Sequence, residues 1–238
     1  MSNETLVLEA SEALPHVPLA PAPWRITGNG YIVAVWLPRD VINNAFLPPT
    51  LAPSHRGRLA FMMFVDYHET PCGQYHELLY IPGPMQFNEH RHRSITRIFV
   101  SSYDSVVNGR RNWGIPKDRA DFSVSYDDQG VDHVRVQRDG HTFVELAFKP
   151  KGPSIHFNAS LIPRFLRTLA QHWEGNEYVY TPDADGFVQM ASLQSARFDA
   201  ALFPDLARGR VLGVVKAKHF NMRFIQSIIR PMKHRAGA

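Results

Sequence analysis

Apolar and polar residues alternate with a period of two along much of this chain, the signature of half-buried strands. Residues 31–37 form a run rich in Val, Ile and Trp. Residues 59–67 are apolar on both faces, so that segment reads as a buried strand. The turn Pro71-Cys72-Gly73 leads into a second strand over 74–81, a hairpin with Glu77 near its middle. Residues 93–101 alternate again. Strands over 120–126, 133–138 and 142–149 follow. They are separated by Asp127-Asp128-Gln129-Gly130 and Arg138-Asp139-Gly140, where glycine supplies the positive φ of a hairpin turn. Residues 178–180, 186–198 and 213–225 complete the strands.

Helical signals are few. Asp40 is placed to cap a short helix over 41–46 that ends at Pro48. Residues 104–108 predict one helical turn. The pattern Leu161, Phe165, Leu166, Leu169 predicts a helix over 161–173 with one apolar face. Residues 1–22, rich in Ala, Pro and Glu, read as an arm that drapes over the body or a neighbour. Residues 23–238 then form a single, mainly β domain, a barrel or curled sheet with minor α content.

Composition narrows the function classes. The chain has 238 residues, is 44% hydrophobic and contains 15 Phe, enough for a well-packed core. A net charge of +4 does not call for a nucleic-acid partner. The Arg- and Lys-bearing segment 208–235, free of acids, reads as solvated or subunit-facing surface. The apolar run 59–65 is far too short for a membrane-spanning helix. Cys72 is the single cysteine, and the N-terminus lacks a basic leader. A cytoplasmic protein with no membrane partner is the expectation. His90 and His92 share a strand face, but Arg93 to Thr96 supply no third ligand, so neither a metal nor any other cofactor is expected.

The chemistry concentrates in Asn108-Gly109-Arg110-Arg111-Asn112-Trp113-Gly114-Ile115-Pro116-Lys117-Asp118. Pro116 stiffens the backbone before Lys117. Trp113 and Ile115 add apolar surface. A lysine in such surroundings has its charged form penalised, which lowers its pKa and frees the amine as a nucleophile. The plain alternative is a turn with a solvated lysine.

Residues 109–117 resemble the lysine motif of the acetoacetate decarboxylase family. There a glycine-arginine pair leads through an aromatic segment to proline and a Schiff-base lysine. Gly73-Gln74-Tyr75-His76-Glu77 is similar to the family's aromatic and glutamate, with Glu77 lying 40 residues before Lys117. Pro23-Trp24-Arg25-Ile26, Tyr31 and Leu47-Pro48-Pro49-Thr50-Leu51 extend the likeness, which runs from about residue 22 to 230. The resemblance implies a β-barrel with a buried central cavity, a homo-oligomer, and a lyase that binds a small oxo acid or related carbonyl through an imine.

On that reading Lys117 is the amine, and Glu77 moves protons or anchors charge, unless it faces water. Arg110 binds a substrate carboxylate or tethers the loop. Tyr75 lines the site and Trp113 packs beside it. Three departures stand out. Asp118 replaces the family's second lysine and, if close, raises the pKa of Lys117. A family arginine falls on Asn29, with Arg25 four residues earlier as a substitute, and a family acid falls near Phe61. Decarboxylation, aldol chemistry and dehydration all fit the retained pair. The rival is a non-catalytic barrel that binds an apolar small molecule.

Overall fold

A computed structural model of the chain describes residues 14–43 and 46–233. In chain order it contains β1 (Trp24–Trp36), α1 (Arg39–Asn43), β2 (Leu59–Glu69), β3 (Tyr75–Ile81), β4 (Met85–Gln86) and β5 (Arg91–His92). Then come β6 (Arg97–Val100), α2 (Tyr103–Trp113), β7 (Lys117–Arg119), β8 (Asp121–Tyr126), β9 (Asp132–Arg138) and β10 (His141–Asn158). The last part holds α3 (Arg164–Arg167), β11 (Leu169–Trp173), β12 (Asn176–Tyr180), β13 (Asp183–Phe198), β14 (Arg210–Phe224) and β15 (Ile228–Pro231).

Ten strands make one sheet in the order β7-β6-β3-β2-β1-β14-β13-β10-β9-β8. Its two edge strands, β7 and β8, are joined by the single residue Ala120. The edges must therefore meet, and the sheet curls into a nearly closed barrel. The domain is mainly β, as the alternation predicts.

Each sheet face has its own core. Tyr31, Val33, Met62, Phe64, Leu78, Tyr80, Phe99, Val136, Phe143 and Phe148 pack together from strands all around the sheet, so this cluster fills the enclosed side. The opposite face of β2, β3 and β6 carries Val65, Tyr67, Tyr75, Leu79, Ile98 and Val100. It packs against Val106 and Trp113 of α2, Ile115, and Tyr180 of β12. Bulges in β1, at Gly28/Gly30 and Ala34/Val35 against β14, shift the alternation so that Trp24 and Ile26 join the second core while Tyr31 and Val33 join the first.

Four expectations change. The helix over 161–173 is instead a 3-10 turn at Ala159–Leu161, the one-turn α3, and strand β11. Pro163 precedes the helical turn, and Leu161 and Phe165 are 75% and 73% exposed, so the apolar spacing marks no core-facing stripe. Residues from Leu169 onward gain more by pairing with β12 across the Glu174-Gly175 turn. The single turn expected at 104–108 is the three-turn α2, because Ser102 caps its start and Gly114 ends it at φ 62°. The strand expected over 93–101 is only Arg97–Val100. The helix expected over 41–46 is described over Arg39–Asn43, beginning earlier than expected; Phe46 is not helical, and residues 44–45 lie outside the described set. Of the N-terminal arm, residues 1–13 also lie outside that set. Its later part docks on α2, where Asn108 accepts from Ala20 N–H and Asn112 donates to Ala20 C=O.

Candidate active site

Lys117 opens β7, which pairs in parallel with β6 through α2 as the crossover. This β-α-β unit hangs the lysine beside Ile98 and aims it at the second core. Glu77 sits mid-β3, opposite Val65 on one side and Val100 on the other. Strand alternation puts Tyr75, Glu77 and Leu79 on the same face as Lys117.

The two side chains meet. Lys117 Nζ donates to Glu77 Oε2 at 2.7 Å and to Ser105 Oγ at 2.9 Å. Tyr67 donates to Glu77 Oε1 at 3.2 Å. The ammonium lies 5.2 Å from the centre of the Tyr75 ring. Lys117 and Glu77 are 5% and 4% exposed. So Glu77 faces the core rather than solvent, and Lys117 is no solvated turn residue.

Helix α2 is the floor under the lysine. Ser105, Gly109 and Trp113 fall four residues apart and bury on one side of the helix. A Cβ on Gly109 would stand 2.7 Å from Lys117 Cδ and 2.8 Å from Cε, so only glycine lets the lysine stem lie flat.

The electrostatics depart from the expected activation. Burial pushes the Lys117 pKa down and is the largest single influence. The Glu77 carboxylate, with the hydrogen bonds of Glu77 and Tyr75, together outweighs it and holds the amine as ammonium. Tyr75 is pushed up to about 12, first by burial, so it stays a neutral phenol. Burial and the neighbouring Glu77 also push Tyr67 well up. The anion that keeps Lys117 charged is thus Glu77 and not Asp118. Asp118 is the next residue on the strand, points to the opposite face, and is bound by Arg97 at 2.7 Å and Arg110 at 3.1 Å.

Other residues singled out by sequence lie at varied distances from this pair. Arg110 Nε donates to Lys117 C=O at 2.9 Å, and its guanidinium stacks on Trp173, so it tethers the lysine segment. Trp113 packs edge-on against Trp24 and Phe224 and donates to Ile225 C=O at 2.7 Å. Phe61 shares the lysine's face but aligns with Ile81, four residues along β3 from Glu77, about 13 Å away at strand rise. There it supports the Arg93 guanidinium at 5.0 Å. Asn29 is outside the constellation; it accepts from His219 N–H and contacts His68. Arg25 is exposed on the other face of β1 and lines an open cleft of about 280 Å³ with Arg223 and Asp183. It does not replace the missing arginine at Lys117.

Ser105, Tyr67 and Gly109 complete the site and were not among the sequence candidates. Tyr67 was findable as the residue facing Tyr75 across the β2–β3 hairpin. The serine was not, because residues 109–113 read as loop. Among the described residues no three His, Cys, Asp or Glu side chains converge as a metal site. No described helix is long and apolar enough to cross a membrane.

Residues 14–177 match the acetoacetate decarboxylase (ADC) family pattern, well over half of the chain. The chain belongs to the acetoacetate decarboxylase family. Solved structures agree on the fold. Acetoacetate decarboxylase from Legionella pneumophila shares 13% identity over 93% of this chain and 94% of its own, with a TM-score of 0.67. An acetoacetate decarboxylase-like enzyme from Sphingomonas wittichii RW1 shares 12% identity over 94% and 99%, TM-score 0.66. The enduracididine biosynthesis enzyme MppR, complexed with pyruvate, shares 17% over 90% and 92%, TM-score 0.59. Comparison with curated protein sequences gives no match.

Proposed function

We propose that this acetoacetate decarboxylase-like protein is a lyase that binds an oxo acid or related carbonyl compound as an imine on Lys117. One observation carries the reading. A lysine amine with almost no solvent exposure meets a single buried carboxylate at 2.7 Å, on a floor that only glycine permits.

The ammonium must give up a proton before it can attack, and Glu77 Oε2 is placed to take it. The free amine then adds to the carbonyl carbon. The carbonyl oxygen collects two of the three ammonium protons and leaves as water. The iminium keeps the positive charge opposite Glu77. From there the iminium serves as the electron sink for decarboxylation, carbon–carbon cleavage or addition, or dehydration. Tyr67 and Ser105 hold Glu77 and Lys117 in register.

The test is incubation with a panel of carbonyl compounds, borohydride reduction, and intact mass measurement. An adduct that disappears in Lys117→Ala supports the imine. Absence of any adduct favours a barrel that only binds an apolar small molecule. We also infer a homo-oligomer, supported by the exposed apolar side chains of Ile155, Leu161, Phe165 and Met190, each at least 60% accessible. A reducing, cytoplasmic setting belongs to the same reading and rests on the single, half-buried Cys72 thiol.

A further inference from the structure

Charge bookkeeping around Lys117 narrows the substrate, granted the imine reading above. The resting pair is one ammonium against one carboxylate, net zero, in a nearly dry site. Condensation with an uncharged aldehyde or ketone replaces ammonium by iminium and releases water, so the site stays at net zero. Condensation with a short oxo acid adds a second buried anion a few ångströms from Glu77. That anion needs a cation of its own.

Among the described residues, the cations on the surrounding elements are engaged elsewhere or turned away. Arg97 binds Asp118 on the far side of the sheet, and Arg110 of α2 is held by Asp118 and the Lys117 carbonyl. Arg119, the next residue on the lysine's side of β7, donates to Ala120 C=O and binds Asp121 at 2.8 Å. Arg111 lies on the exposed side of α2. Arg93 reaches the lysine's face only beyond Phe61, where it donates to the carbonyls of Leu59 and Pro82. What does approach the reacting amine is hydroxyl and apolar: Tyr67, Tyr75 and Ser105, within a wall of Val65, Leu79, Ile98, Val100 and Val106.

We propose that Lys117 takes an aldehyde or ketone that carries no carboxylate, and that Glu77 enforces this by occupying the single anionic place in the site. The substrate's remaining groups are apolar, or hydroxyls that the phenols and Ser105 can satisfy.

Matched pairs test this. Pyruvate is compared with methyl pyruvate, and 4-oxopentanoate with hexan-2-one. Each trapping rate on Lys117 is divided by the rate with Nα-acetyl-lysine, which removes intrinsic reactivity. The expected result is a preference of about 100-fold for the uncharged member of each pair, the scale of an uncompensated buried charge. Glu77→Gln should then shift the ratio by at least tenfold toward the acid, because the substrate carboxylate becomes the iminium's counter-ion. A simple packing defect would leave that ratio unchanged. Oxo acids trapped as readily as their neutral partners would overturn the proposal while leaving the imine in place. No adduct with any compound would overturn the imine reading itself.

Discussion

Lys117 and Asp118 are consecutive in the chain and point to opposite faces of the same strand. Lys117 Nζ meets Glu77 at 2.7 Å in one core, while Asp118 meets Arg97 at 2.7 Å on the other side. An anion adjacent in sequence is thus kept from the amine by the sheet itself.

This separation makes a prediction for Asp118→Asn. The substitution should leave the pH dependence of adduct formation on Lys117 unmoved. It should lower stability by about 1–3 kcal/mol in urea unfolding, the scale of lost charged hydrogen bonds. A displaced pH limb would show that Asp118 reaches the amine after all.

Glu77→Gln should separate two steps. With the carboxylate gone, burial is opposed only by Tyr75 and the Lys117 pKa falls, so the free amine is more abundant at neutral pH. Adduct formation near pH 7 should persist or quicken, while turnover falls about 10²–10⁴-fold through loss of the proton carrier. Stopped-flow trapping beside steady-state rates checks both.

Stability should show the same pair. Folding raises the Lys117 pKa, so its contribution is complete below the unfolded lysine value of about 10.4 and fades as pH rises through the folded value. Thermal melts of the native chain should show this contribution constant across neutral pH and declining only in alkali. Glu77→Gln should lack that alkaline decline.

Gly109→Ala isolates the floor. Alanine favours the helix by about 1 kcal/mol, yet its Cβ would meet the lysine stem at 2.7 Å. The variant should fold with near-native stability and form adduct at least tenfold more slowly, about 1.4 kcal/mol of barrier. Unchanged trapping would mean the stem moves aside freely.

Trp113 belongs to packing, so Trp113→Ala should cost about 3–5 kcal/mol in chemical unfolding. Trp113→Phe should cost less, leaving the Ile225 carbonyl without its donor, and should trap carbonyls at the native rate. A trapping defect in a well-folded Trp113→Phe would place the indole at the substrate.

The period-two alternation was enough for the mainly β class and for most strands of the barrel, because pleating ties burial to local sequence. A continuous apolar run followed by the Pro71-Cys72-Gly73 turn marked the β2–β3 hairpin with Glu77 at its centre. The lysine segment was legible through its resemblance to the family's lysine motif; its proline, glycine and tryptophan alone also fitted a turn with a solvated lysine. Other features were decided by long-range contacts. Segment 161–173 carries a helix-like pattern, but pairing with β12 outweighs it after residue 168. Gly109 left open in sequence either a special backbone angle or a close approach; it lies inside α2, and the close approach is the one made, by the stem of Lys117 eight residues on. Asn29, Phe61 and Arg110 were candidates by position along the chain. Bulges in β1 and the path of α2 settle where their side chains go, and neither leaves a local signal. The protonation of Lys117 was also out of reach. Apolar neighbours in sequence argue for a free amine, while a carboxylate forty residues away, brought to 2.7 Å by the sheet, holds it charged.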